Sequence, residues 1–337
     1  MLRTFGISAF LTVAAIVGAF FGLGVSAALS IIVLIAIEIS FSFDNAIINA
    51  KVIERLSPFW QKLFLTVGIL FAIFFMRLVL PILIVMISAG LSWATVVNDA
   101  LHHPEVYSQH LAEAHVNIAA FGGSFLLLLT IYFFLDDERT RLWLHQIERP
   151  LQRIGGTIWL PPLIASLVLL VVAFFAGHEA KEVLTAGFFG IGLYLGIKLI
   201  IDTLGHFTPK EQKIYTGWSA FFAFMYLEIL DASFSLDGVI GAFAITDQIL
   251  LIVLGLGVGA VWIRSLTVYL VRENTLKSYV YLEHGAHYAI FALSVALLGS
   301  IFIEVPEVIT GFVGISILVS SFIASREALN ARKTKQS

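Results

Sequence analysis

The stretch Ser30–Asn49, SIIVLIAIEISFSFDNAIIN, decides the fold of this chain. It is about as long as a helix must be to cross the hydrocarbon of a bilayer, and its only charged side chains are Glu38 and Asp44. A carboxylate at the bilayer centre costs about 2.5–3.5 kcal/mol on insertion scales, so acids inside such helices generally belong to functional sites. The stretch therefore predicts a transmembrane helix with an acidic site buried within it.

The composition of the whole chain is typical of a membrane protein. Of its 337 residues, 59% are hydrophobic and 13% are charged, and the mean hydropathy is +0.95. Soluble domains contain about 25% charged residues. The formal net charge of −3 offers no basic surface to nucleic acid, and the lack of cysteine excludes disulfides and thiolate metal sites. We therefore expect a chain that is mostly embedded in lipid and binds no nucleic acid.

Ten apolar stretches are long enough to be transmembrane helices. They cover roughly 6–23, 27–50, 62–90, 115–135, 158–176, 183–202, 214–245, 248–271, 284–303 and 306–325. The first partly resembles a cleaved signal peptide, but the next apolar stretch follows at once, and so we expect it to be retained as a helix.

The distribution of Lys and Arg predicts the orientation in a bacterial inner membrane, where basic connections remain in the cytoplasm. With both termini cytoplasmic, sixteen of the 20 basic residues fall in cytoplasmic segments, and Lys181 alone falls outside. Arg77, Lys198 and Arg264 lie within predicted helices. The sequence therefore predicts an all-α polytopic membrane protein with ten helices and cytoplasmic N- and C-termini.

The acidic motif of the second predicted helix occurs again in the seventh. Ser40–Ile47 reads SFSFDNAI, Ser233–Ile240 reads SFSLDGVI, and each motif is followed by a helix with an internal arginine, Arg77 or Arg264. Five helix steps separate the copies, which is an odd number, so the copies cross the membrane in opposite directions. We therefore predict two inverted three-helix repeats with a substrate site at their interface near the bilayer midplane.

These repeats divide the chain into five predicted regions. They are an N-terminal helix (1–26), the first repeat with an outward loop at 91–114 (27–135), a connecting region with helices five and six (136–213), the second repeat (214–303), and a final helix with a basic cytoplasmic tail (304–337). We interpret the histidine-rich segment 91–114 as a solvated amphipathic loop, with metal release or pH sensing as the alternative.

The two motifs resemble the paired signatures of the TerC family of integral membrane proteins. The similarity rests on Glu38-x-x-Phe41-Ser42-x-Asp44-Asn45 and on Glu228-x-x-Asp231-x-x-Phe234-Ser235-x-Asp237-Gly238, continuing to Ala242–Thr246. That family was named for tellurium resistance and is grouped with the LysE exporter superfamily. The resemblance implies cation export, with manganese(II) as the best-supported substrate. The second motif differs from many relatives in having Gly238 in place of serine.

The chemistry of the motif residues also favours a cation. Five motif carboxylates and only two helix arginines leave a negative charge that a divalent cation, protons or both would offset. Carboxylate, amide and hydroxyl oxygens suit manganese, magnesium or calcium better than copper(I). The predicted metal ligands are Glu38, Asp44, Asn45, Glu228, Asp231 and Asp237, with Glu228 also gating or exchanging protons. The predicted supporting residues are Ser42, Ser235, Arg77, Arg264, His284 and His287.

Helical spacing leaves two arrangements open. Glu38, Ser42, Asn45 and Asn49 share one face of a regular helix, whereas Asp44 lies about 120° from Glu38. Either the motif helices unwind locally so that all the acids reach one ion, which we favour, or Asp44 and its counterpart in the second motif face a separate partner.

Plainer roles are available to several of these residues. The motif acids can form structural ion pairs with arginine, and we interpret Arg77 and Arg264 as residues that orient the acids. Ser42 and Ser235 can serve in helix packing instead of binding an ion. His284 and His287 share a helix face, which suits metal binding, a proton relay or interfacial packing.

The sequence as a whole predicts a divalent metal exporter that works by alternating access of its repeats. No nucleotide-binding loop is present, so we expect coupling to protons. The alternative is a non-transporting membrane scaffold of a metal or tellurite stress-response complex. No arrangement of nucleophile and base is evident, and we expect no enzymatic activity and no permanently bound cofactor. The expected partners are the lipid bilayer, the divalent ion and protons, and the sequence leaves the oligomeric state open.

Overall fold

The computed structural model of the chain describes residues 2–68, 71–79, 82–83, 85–86, 90–137, 139–206, 214–242, 245–246, 248–272, 279–303, 305 and 307–336. The protein is 86% helical. Among the described residues the only β-type pairing is an isolated bridge between Leu56 and Tyr215. The fold is therefore all-α, as the sequence predicts.

The helical elements follow one another along the chain in the following order. They are α1 (Leu2–Leu23), α2 (Val25–Phe41), α3 (Phe43–Ile53), α4 (Pro58–Leu63), the π-helical segments π1 (Phe64–Gly68) and π2 (Phe71–Val79), α5 (Trp93–His102), α6 (Pro104–Glu113), α7 (His115–Leu135), α8 (His145–Gly155), α9 (Leu160–Ala176), α10 (Ala180–His206), α11 (Gly217–Ala242), α12 (Ile249–Arg272), α13 (Leu282–Gly299) and α14 (Glu307–Gln336). A 3₁₀ turn, Gly177–Glu179, joins α9 to α10.

The chain forms two compact units. Unit 1 comprises Met1–His115 and Leu204–Val271, and unit 2 comprises Val116–Thr203 and Arg272–Ser337. Both acidic motifs belong to unit 1, whereas the predicted supporting histidines belong to unit 2. The predicted repeats and region boundaries stay predictions.

Several helices are long and apolar enough to cross a membrane. Within the described residues these are Thr4–Leu23, His115–Leu135, Leu160–Ile200, Ile249–Arg272 and Ile309–Asn330. The stretch Leu160–Ile200 has 41 residues and turns at Gly177, where φ is +60°, so it holds two successive helices, α9 and α10. The chain is therefore an all-α membrane protein, while the full set of ten spans stays a prediction.

Close packing between α2 and α12 fixes the position of the first motif in unit 1. A Cβ atom on Gly255 would lie 2.5 Å from Cβ of Leu34, and one on Gly259 would lie 2.5 Å from Cβ of Glu38. Small residues four apart allow membrane helices to approach each other in this way. Helix α1 also contacts α12, where Trp262 Nε1 donates a hydrogen bond of 2.8 Å to Thr12 Oγ1.

The two motifs differ in their backbone. The first is interrupted at Ser42, where φ is −98° and ψ is 11°, although the i to i−4 hydrogen bonds Ser42 N to Glu38 O and Ala46 N to Ser42 O persist on either side. The second motif lies inside α11, which is helical throughout Gly217–Ala242. The expected unwinding is therefore limited to one residue in the first motif, and the expectation was wrong for the second.

The segment 91–114 contains the helices α5 and α6. Ser92 caps the first, because its Oγ accepts a hydrogen bond of 3.2 Å from Thr95 N, and Pro104 begins the second, where the missing N–H of proline costs nothing. The segment is thus more ordered than the loop predicted from its polar composition.

Candidate functional site

Glu38 is a buried acid in the apolar helix α2. Its residue exposure is 3%, and its Oε1 accepts a hydrogen bond of 3.0 Å from Ser42 Oγ, one helical turn later. Its aliphatic part lies against Gly259, where a Cβ atom would come within 2.6 Å of Glu38 Cγ. The neighbouring helix and the serine therefore hold this carboxylate in a defined position.

Asn49 continues the same polar face into α3. Its side chain is fully buried, and neither its Nδ2 nor its Oδ1 has a hydrogen-bond partner among the described residues. A buried amide without partners costs about 1–3 kcal/mol. Such a group in a folded protein calls for an explanation, and a bound water or ion is one of those available.

Glu228 in α11 is held by the arginine predicted to orient it. Arg264 Nη2 lies 3.5 Å from Glu228 Oε1 and donates a hydrogen bond of 3.4 Å to the carbonyl oxygen of Gly68. The guanidinium also lies 3.8 Å above the ring of Phe64, and both charged residues are buried. This geometry favours the interpretation of Arg264 as a positioning residue.

Each motif glutamate also contacts a glycine of the helix that follows the other motif. Glu38 lies against Gly259 of α12, and a Cβ atom on Gly68 of π1 would lie 2.8 Å from Glu228 Oε1. The π-helical segments are unusual, because π-helical geometry is normally confined to single turns and often occurs at functional sites. The two motifs are thus packed crosswise onto the helices around them.

The structure does not describe the side chains of the other predicted ligands and supporting residues. These are Asp44, Asn45, Asp231 and Asp237, together with the supporting residues Ser235 and Arg77. Among the described residues, no group of three or more His, Asp or Glu side chains is placed to hold a metal ion. The ligand set as a whole therefore stays a prediction.

A third buried acid, Glu148, lies in unit 2, where no motif or spacing in the sequence pointed to it. Glu148 in α8 is fully buried, its Oε1 accepts hydrogen bonds from the backbone N–H groups of Trp143 and Leu144, and its Oε2 lies 2.9 Å from His284 Nδ1. Arg139 Nη1 lies 3.3 Å from the same oxygen.

The environment of Glu148 favours its charged form. Burial raises the pKa of this carboxyl, but the hydrogen bond from His284, the backbone N–H of Leu144 and the nearby charges outweigh it, and the net pKa lies below the ordinary value. Burial lowers the pKa of Arg139. An ionised Glu148 therefore fastens α8 to the start of α13.

The two predicted supporting histidines have contacts of their own in unit 2. His284 pairs with Glu148, as described above, and His287 Nδ1 lies 2.8 Å from the carbonyl oxygen of Glu283. The ring of His287 stacks on Phe133, with centroids 3.6 Å apart. These contacts favour packing and positioning, and a metal role for either ring stays a prediction.

Comparison with known proteins places the chain in a family. No curated protein and no protein of solved structure matches it. Residues 43–333 match the family described as "Protein of unknown function (DUF475)", and this match covers most of the chain and the whole second motif. The resemblance to the TerC family rests on the motif residues and stays a prediction. The chain belongs to the DUF475 family.

Proposed function

We propose that the protein transports a divalent metal cation across the membrane, with manganese(II) as its first candidate substrate and export as its direction. The observation that carries the proposal is the buried polar face of Glu38, Ser42 and Asn49 on α2 and α3. This face carries the Glu38 carboxylate and the Ser42 hydroxyl, which are hydrogen-bonded to each other, in helices otherwise rich in apolar residues. It also carries the Asn49 amide, which has no hydrogen-bond partner among the described residues.

The chemistry of this face supports a hard or borderline cation. Oxygen ligands bind manganese, magnesium and calcium, and the chain contains no cysteine for softer metals. The proposed ligand set adds Asp44, Asn45, Asp231 and Asp237, which lie in the same two motifs. An acid in an apolar helix is costly, and such acids commonly mark ion paths or proton relays.

The crosswise packing of the motifs supports alternating access. Two inverted copies related by a twofold axis would bring each motif against the helix that follows the other motif. Glu38 of the first motif lies against Gly259 and Glu228 of the second lies against Gly68, although the two glutamates are not equivalent positions, because Glu38 aligns with Asp231. In the proposed mechanism the repeats rock around the ion and expose it to each side in turn.

Glu228 has the proposed role of gating or exchanging protons. Its carboxylate lies 3.5 Å from Arg264, so a change in the charge of Glu228 would alter the contact between α11 and α12. Proton coupling would supply the driving force, because the sequence shows no nucleotide-binding loop. A change of protonation at this pair would thus be transmitted to the helices that hold the ion.

The proposal is tested by flux measurements on purified protein in liposomes. Manganese, calcium, magnesium and zinc are supplied in turn under an imposed pH gradient, and entry is followed with a trapped metal-sensitive dye. The variants are Glu38→Gln and Asn49→Leu. The matched control is Ser294→Ala, a buried hydroxyl of unit 2 that donates to the carbonyl of Phe291 in its own helix.

We expect the parent and the control to carry manganese, and each site variant to lose about tenfold or more of the flux, since one lost ligand interaction worth about 1.4 kcal/mol changes binding tenfold. Flux in both site variants equal to that of the parent would contradict the site. A folded parent that carries none of the four ions would contradict transport and favour the scaffold alternative.

A further inference from the structure

Helix α8 carries an apolar stripe that unit 2 leaves exposed. Ile147, Leu151 and Ile154 recur at intervals of four and three residues, which places them on one helical face. The exposed side chains of Leu144 and Ile158 flank the helix just outside its ends. The exposed fractions are 50% for Ile147, 57% for Ile154 and 72% for Ile158. A stripe of this kind is normally covered by another apolar surface.

A different face of α8 is fixed to unit 2. Glu148 is buried in the ion pair with His284, and Gly155 packs so closely on the backbone of Leu135 that a Cβ atom would collide with it. Residues 148 and 155 lie roughly a quarter turn from the apolar stripe on a helical wheel. The buried acid therefore sets the direction in which the stripe faces.

The exposed charges on α8 itself and just before it are basic, whereas the exposed acids Asp136 and Asp137 lie beside its C-terminal half, where Gln152 Nε2 donates to their carbonyl oxygens. Arg149 and Arg153 are exposed and lie on the side of the helix away from the stripe, and Arg141 is exposed just before it. Between residues 141 and 160, all of which the structure describes, Glu148 is the only acid, and it is buried. The exposed charges that α8 itself carries are thus basic and lie away from the apolar stripe, while the end of the helix at Gly156 lies near Asp137.

We propose that α8 lies in the membrane–water interface, with its apolar stripe at the acyl boundary and its arginines on the phosphates of anionic phospholipids. Strong segregation of apolar and basic faces at low overall hydrophobicity distinguishes interfacial helices from spanning ones. The orientation predicted from the basic residues puts α8 on the cytoplasmic side, where anionic lipids attract basic segments.

The next residues along the chain support this placement. Trp159 is 76% exposed and immediately precedes the apolar helix α9. Tryptophan is enriched at the level of the lipid headgroups, where spanning helices begin. The apolar stripe and the start of α9 thus lie at adjoining positions in the chain, as expected if the same bilayer receives both.

The lack of native cysteine makes a direct test possible. Single variants Ile147→Cys, Ile154→Cys and Arg149→Cys of the full chain are spin-labelled and reconstituted in vesicles of phosphatidylcholine with phosphatidylglycerol. Collisions with oxygen report the membrane interior, and collisions with a water-soluble nickel complex report water.

We expect labels at 147 and 154 to collide mainly with oxygen and the label at 149 to collide mainly with nickel. Nickel access at 147 and 154 equal to that at 149 would overturn the proposal, because the stripe would then face water. Low access to both reagents at 147 and 154 would also overturn it, because a second copy or another protein would then cover the stripe.

The lipid preference is tested separately with spin-labelled phosphatidylglycerol and phosphatidylcholine. In the parent we expect phosphatidylglycerol to be enriched at the protein, and Arg149→Gln with Arg153→Gln to lower this enrichment by about fivefold for each arginine removed. Lys181→Gln, an exposed basic residue elsewhere in unit 2, is the control and should leave it unchanged. Equal enrichment in the arginine variant and the control would overturn the anionic preference.

Discussion

Replacing Arg264 with methionine should strongly destabilise unit 1, and removing its partner at the same time should restore much of the loss. Arg264 Nη2 lies 3.5 Å from Glu228 Oε1, and both residues are almost fully buried. At that distance and an effective dielectric constant of about 20, the attraction is worth about 5 kcal/mol. A single replacement removes this counterion from the other buried charge, and the loss costs about 3–5 kcal/mol.

A double-mutant cycle measures this coupling. The free energy of unfolding is determined in detergent micelles for the parent, Arg264→Met, Glu228→Gln and the double variant, with helicity as the signal. Contacts of Arg264 with Phe64 and Gly68 are lost in both arms of the cycle and so cancel. We expect a coupling energy of about 3–5 kcal/mol. Effects of the two single replacements that add to within about 0.5 kcal/mol would refute the reasoning.

Three further predictions concern packing, the buried amide and pH. Gly259→Ala should lower the free energy of unfolding by about 1–3 kcal/mol and reduce manganese flux, because the new methyl group meets Glu38. The control Gly192→Ala places its methyl group in open space and should cost nothing. Equal effects of the two replacements would argue against the close approach of α2 and α12. Asn49→Leu should keep or raise the thermal stability while lowering the manganese flux, since it removes a buried amide that has no hydrogen-bond partner among the described residues. A large loss of stability would contradict a ligand role for Asn49. The stability that ionised Glu148 contributes should be present above pH 4.5, the ordinary pKa of the group, and should disappear as the pH falls through its lowered folded-state pKa. Unfolding of Glu148→Gln should lack this acid dependence. Identical pH profiles of the parent and the variant would argue against the role of Glu148 in holding α8 to α13.

Much of unit 1 could be predicted because its signals are local. The apolar length of the segments predicts membrane helices, and a separation of four residues puts Glu38 and Ser42 on one face, which their hydrogen bond of 3.0 Å confirms. The interpretation of Arg264 as a residue that orients an acid agrees with its contact to Glu228.

The rest depends on contacts between distant parts of the chain, which periodicity does not reveal. Nothing in the local sequence of Glu148 indicates that it pairs with His284, because the two residues meet only when α8 folds onto α13. The glycine contact at Glu38 likewise requires the packing of α2 on α12. The continuous helix through the second motif was also missed, since serine and glycine permit unwinding without requiring it.

The most direct test of the central claim is the binding of manganese(II) to purified protein, measured from the electron paramagnetic resonance signal of free manganese. We expect the parent to bind the ion, and Asp44→Asn and Asp237→Asn each to weaken binding by about tenfold or more, since each would remove a charged oxygen from the proposed ligand set. Equal affinity in the parent and both variants, or no binding by the folded parent, would contradict the account.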